Sequence, residues 1–147
     1  MTAVGGTRSR AVLAVLLFFG AVSAFAGAVM AIGFDGAGLP LSVLQGSPFH
    51  SFVGPGLILG VVVGGTQFAA ALALANRHRW SLPAAAVAGF GMLIWIFMEL
   101  AIIRSYSFLQ AVYFGLGIAE LIFVLVLLGV VPHSLSAPRQ SGNHKYL

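Results

Sequence analysis

Read from its N-terminus, the chain alternates long apolar stretches with short polar ones. The apolar runs cover 11–33, 56–75, 83–103 and 108–131, each close to the ~20 residues that a helix needs to cross a bilayer core. A span in lipid must satisfy its own backbone hydrogen bonds, so runs of this length predict helices. The breaks between them read as turns. Asn76-Arg77-His78-Arg79-Trp80 places charge and an aromatic ring at headgroup level. Ser81 and Pro83 read as an N-cap region and an early-turn proline, and Arg104-Ser105-Tyr106-Ser107 as a tight turn. Residues 1–10 form a polar N-terminal tail, and 132–147, entered through Pro132, form a short Ser-rich tail expected to be disordered.

The stretch 34–55, FDGAGLPLSVLQGSPFHSFVGP, breaks the rhythm. Pro40, Pro48 and Pro55 exclude a continuous spanning helix, yet Leu39, Leu41, Val43, Leu44, Phe49, Phe52 and Val53 are too apolar for a free loop. The segment is expected to lie at the membrane interface or to fold back over the mouth of the bundle as a lid or docking surface.

Composition turns this pattern into a class. Hydrophobic residues make up 60% of the 147 and charged residues 7%, too few polar groups to cover a water-soluble surface, so the excess apolar surface belongs against lipid. Arg8, Arg10, Arg77, Arg79, Arg139 and Lys145 fall on one side of the alternation, and Arg104 stands alone on the other. That asymmetry puts both termini and the basic turn in the cytoplasm and 34–55 outside. The expected fold is an all-α four-transmembrane-helix bundle in a bacterial plasma membrane. Arg8, Arg10 and the Ala24-Phe25-Ala26 triplet before Gly27 also fit a cleavable signal peptide, but the apolar run continues to Gly33, longer than the ~7 to 15 residues of a signal core. The basic residues sit at the ends of the spans, where they meet anionic headgroups, and do not form a nucleic-acid surface.

Helical spacing then gives each span a face. Gly56, Gly60 and Gly64 recur every fourth residue, and the line continues to Gln67 and Ala71. In lipid, helices associate through close backbone approach and interhelical polar contacts, so this glycine-zipper face is the expected packing spine. Leu16, Gly20, Ser23, Gly27 and Ala31 form a matching face on the first span. On the fourth, Gln110, Tyr113, Gly117 and Glu120 make a polar stripe that should face protein. At ~1.5 Å per residue, Gln67 and Glu120 both lie roughly 16 to 18 Å from the outer ends of their helices, with Ser23 at a similar level. These three are expected to form a midplane cluster in which a protonated Glu120 donates to the Gln67 carbonyl.

Glu99 lies nearer the outer end, on a face with Met92, Trp95 and Ile103. An ion pair with Arg104 is its local structural role. The functional alternative is a vestibule in which Glu99 and His50 exchange protons or bind a cation, beside Asp35, Gln110 and Tyr106. Intramembrane acids are costly and often mark proton or substrate paths. No cysteine is present, and no HxxxH, HExxH, ExxH or GK[ST] spacing occurs, so no metal, cofactor or catalytic residue is assigned. His50, His78, His133 and His144 all fall outside the spans, which argues against haem. A quinone or lipid pocket needs only an apolar cleft with one or two polar groups.

Four spans with both ends on one side and a long first loop on the other resemble the general layout of DoxX-like and other small four-pass bacterial membrane proteins. The likeness is one of arrangement and carries no residue over. Small size and glycine-lined helices suggest an accessory or scaffold subunit that assembles with itself or a larger membrane complex. The alternatives are a small transporter or binder of a lipophilic or cationic ligand, using Glu120, Gln67 and Glu99, and a membrane enzyme with Glu99 and His50 as acid and base.

Overall fold

The computed structural model describes residues 2–104 and 106–130. The tail expected over 132–147 lies outside the described residues. Among those described there are no strands. Four helices are long and apolar enough to cross a membrane: α1 (Thr2–Gly33), α2 (Val53–Ala75), α3 (Ser81–Ile103) and α4 (Phe108–Leu127). They pack as a closed cycle in which α1 touches α2 and α4, and α3 touches α2 and α4. Val15, Phe18, Val61, Val87, Phe97 and Ile94 point outward and stay exposed, so the outer wall of the bundle is apolar on every side, the composition of a membrane protein.

The helix ends differ from the sequence reading for local reasons. α1 begins at Thr2 rather than after a ten-residue tail, and its first turns are tied down by Arg10 Nη2, which donates to Ser81 Oγ at 3.3 Å. Ser81 is therefore the buried first residue of α3 and not its cap. Val53 opens α2 three residues before the expected start, because Pro55 is its third residue and the first four N–H groups of a helix have no partner within it anyway. α4 stops at Leu127, not at 131. Gly129 adopts φ +72°, and Val130 N–H returns to Leu125 O at 3.1 Å, a glycine-dependent C-terminal closure.

Within α2, residues Ile58–Gly64 are wound as a π-helix, with Gly65 N–H bonded to Gly60 O. A four-residue step overshoots the ~3.6-residue α turn and falls short of the wider π turn, so mixing the two keeps every fourth residue on one line. Gly56, Gly60 and Gly64 consequently all meet α1. A Cβ at Gly60 would lie 2.9 Å from Ala28 Cβ, one at Gly56 3.0 Å from Ala31 Cβ, and one at Gly64 3.4 Å from Ala24 Cβ. Thr66 Oγ1 donates to Val62 O at 2.7 Å and closes the π segment. On the opposite side, Gly117 packs on Gly89 and Leu93, which sets the approach of α4 to α3.

The segment joining α1 to α2 is an ordered cover over one end of the bundle. Asp35, Gly36, Ala37 and Gly38 take positive φ in succession, and Gly36 N–H bonds to Ala31 O at 3.0 Å, turning the chain sharply off α1. Gly36 lies flat against the Phe52 ring, where a Cβ would collide. A 3-10 turn over Leu41–Leu44 follows, Ser47 Oγ donates to Leu44 O at 2.7 Å, and Leu44 and Phe52 are buried beneath the cover.

Candidate functional site

Gln67 is where the four helices meet. Its Nε2 donates to Glu120 Oε2 on α4 at 2.9 Å and to Ala88 O on α3 at 3.4 Å. On its other side the amide packs against Gly20 of α1, where a Cβ would come within 2.9 Å of Gln67 Oε1. Both Gln67 and Glu120 are 0% exposed. The expected direction of this bond is reversed, since the amide donates and the carboxyl accepts. Gln67 Oε1 and Glu120 Oε1 have no hydrogen-bond partner among the described residues. Ser23 does not join the pair. It points instead into a cavity nearer the covered end.

Below this pair, toward the basic turn, the bundle is solid: Leu13, Leu17, Ala70, Leu74, Ala85 and Val124 fill the axis. Above it the helices part around two chambers. The smaller, about 250 Å³, lies under the cover and is walled by Gly36, Leu44 and Phe52 together with α2 and α3. The larger, about 480 Å³, lies between α1, α3 and α4 and is lined by Ser23, Met92, Gln110 and Tyr113. Gly27, Met30, Leu59, Trp95 and Glu99 belong to the walls of both chambers, so the two share a single carboxyl.

Gln110 is held rigid at this site. It completes a capping box at the start of α4, in which Leu109 N–H donates to Ser107 Oγ at 3.3 Å and Ser107 N–H donates to Gln110 Oε1 at 2.9 Å. With its oxygen engaged there, Gln110 lines the larger chamber together with Glu99. Sequence reading placed Gln110 on the polar stripe and overlooked the Ser-x-x-Gln spacing that marks the cap. Tyr113 is stacked on Phe19 of α1, ring centroids 6.5 Å apart.

Two expected partners of Glu99 are elsewhere. Arg104 closes α3 in a left-handed conformation, φ +51°, and faces a separate cleft with Ser47, Phe49 and Met98. His50 is exposed and lines a shallow surface with Gln45 and Phe49, sharing no cavity with Glu99. Asp35 is exposed in the turn after α1. Neither the Glu99–Arg104 ion pair nor the Glu99–His50 acid–base pair is assembled, because the turns that carry Arg104 and His50 swing them away from the bundle axis. No group of three His, Asp or Glu residues able to hold a metal occurs among the described residues. Met30 and Leu59 are lining residues that the sequence did not single out, since nothing distinguishes a cavity-lining aliphatic side chain from a packed one before the helices are placed.

Comparison of the chain with protein-family models, with curated proteins and with solved structures finds no match. The reading of the site therefore stands on its geometry and chemistry.

Proposed function

We propose that the protein is a small membrane-embedded binder of a lipophilic ligand, which it holds in the two chambers at the covered end. The observation that carries this reading is the asymmetry of the axis: a buried core from Gln67 to the basic turn, and two chambers between Gln67 and the cover that share one carboxyl in their walls. Apolar concavities with one or two fixed polar groups are the usual form of small-molecule sites. The distribution of Arg8, Arg10, Arg77 and Arg79 against Arg104 supports an orientation with both termini cytoplasmic and the chambers facing outward, the cell membrane being the host bilayer.

The glycines Gly56, Gly60, Gly64, Gly20, Gly27 and Gly117, which suggested a scaffold, are accounted for by packing against helices of the same chain. The solid half of the axis favours binding with access from one side over an open path.

Trp95 provides the test. Trp80→Phe leaves it as the sole tryptophan, and a brominated alkyl probe that enters the chambers should quench it saturably. Ser23→Leu, which fills the larger chamber, should weaken the quenching without lowering the unfolding midpoint. Quenching that rises linearly and is indifferent to Ser23→Leu would overturn the reading.

A further inference from the structure

We infer that the ligand is a lipophilic monocation, with an ammonium-type head seated at Glu99 and an apolar arm in each chamber; this deepens, and rests on, the reading of the chambers as a binding site. The first ground is charge. Glu99 is the single ionisable acid or base among the described residues that line either chamber, apart from the phenol of Tyr113. The nearest cationic candidates, Arg104 and His50, face other surfaces. Gln110, which lines the larger chamber with Glu99, is neutral and supplies no countercharge. A carboxyl in an apolar cavity is expensive unless a cation or further hydrogen bonds answer it. An anionic lipophile would be repelled, and beside an uncharged one the carboxyl would have to take up a proton, whereas a cation lets it stay ionised.

The second ground is the aromatic lining of the same chambers. Trp95 walls both chambers beside Glu99, Phe52 walls the smaller and Tyr113 the larger. Aromatic lining of this kind favours a desolvated cation, and most strongly a quaternary ammonium, whose charge is spread over alkyl groups. The third ground is position. Glu99 belongs to the walls of both chambers. A ligand with its charge at one tip would fill a single chamber, whereas one with its charge between two apolar arms fills both, a shorter arm in the 250 Å³ chamber and a longer one in the 480 Å³ chamber.

The test uses the whole protein in detergent and two probes of matched shape, benzyldimethyloctylammonium and the uncharged benzyl octyl ether. Each competes with the brominated alkyl probe for Trp95. The ammonium should bind at least about tenfold more tightly than the ether, as a charge-assisted contact requires, and Glu99→Gln should erase that preference while the ether binds as before. If the ether competes as well as the ammonium, the inference fails and the lipophile-binding reading survives. If neither competes, both fail. Should Glu99→Gln not fold, the unaltered protein still decides. The apolar carboxyl reagent dicyclohexylcarbodiimide, mapped by peptide mass, should label Glu99, and the ammonium but not the ether should block it. Labelling of Glu99 unaffected by the ammonium would overturn the inference.

Discussion

Replacing Gln67 and Glu120 singly and together tests whether the four helices are joined by a polar contact or merely enclose one. Gln67→Met conserves volume but removes both donors, leaving the Glu120 carboxyl with no partner and Ala88 O without its 3.4 Å side-chain contact. A buried polar group stripped of its partner costs about 1–3 kcal/mol, and Glu120→Met should cost a similar amount by stranding the Gln67 amide. The double variant leaves no polar atom behind, and apolar replacement of a buried pair is often close to neutral. The two singles should therefore be non-additive: with the double variant near neutral, the coupling approaches the sum of the two single costs, about 2–6 kcal/mol. Glu120→Gln should be the mildest variant. Its new NH₂, in place of the unpartnered Glu120 Oε1, can donate to Gln67 Oε1, and its oxygen can still accept from Nε2. Unfolding midpoints in mixed detergent–dodecyl sulfate micelles, followed by far-ultraviolet circular dichroism, measure all four. A double variant as unstable as the sum of the singles, or a Glu120→Gln that fails to fold, refutes the reasoning.

Three further outcomes follow from the packing. Gly60→Val should destabilise by about 1–3 kcal/mol through overpacking, because its Cβ would meet Ala28 Cβ at 2.9 Å; an unchanged unfolding midpoint would remove the α1–α2 spine. Ser107→Ala removes the cap of α4 and should cost about 1 kcal/mol, with faster amide exchange at Leu109 as its local signature; unaltered exchange there would show that the box is not closed in solution. Gly36→Ala places a Cβ against the Phe52 ring at φ +81°, so the cover should loosen. Amide exchange over Gly36 to Phe52 should rise while that of α3 and α4 stays the same, and equal protection throughout would contradict the account.

Much of the architecture was legible because bilayer-length apolar runs leave one kind of structure available. The Gly56–Gly60–Gly64 line and the burial of Gln67, Gln110 and Glu120 could be read from helical spacing, which fixes which residues share a face. Spacing does not fix how that face is turned toward its neighbours. Ser23 is at the depth of Gln67, but it lies three residues beyond Gly20, about 60° around α1, and Gly20 is the residue that meets the amide. Hence Ser23 turns into the larger chamber. The π segment was not legible either, since it is chosen by the fit of glycines against α1 and leaves no residue signature. For Glu99, the acid itself and its Trp95 neighbour were visible in the sequence. Its separation from Arg104 and His50 was not, because it depends on left-handed turns at Arg104 and at Asp35 to Gly38 that no periodicity encodes.

Native mass spectrometry of the protein, extracted gently from its own membrane, tests the central claim most directly. Occupied chambers predict a discrete small-molecule mass retained by the unaltered protein and lost from Ser23→Leu at equal folded yield. A protein that carries no such mass, or a mass that Ser23→Leu retains undiminished, would contradict the account.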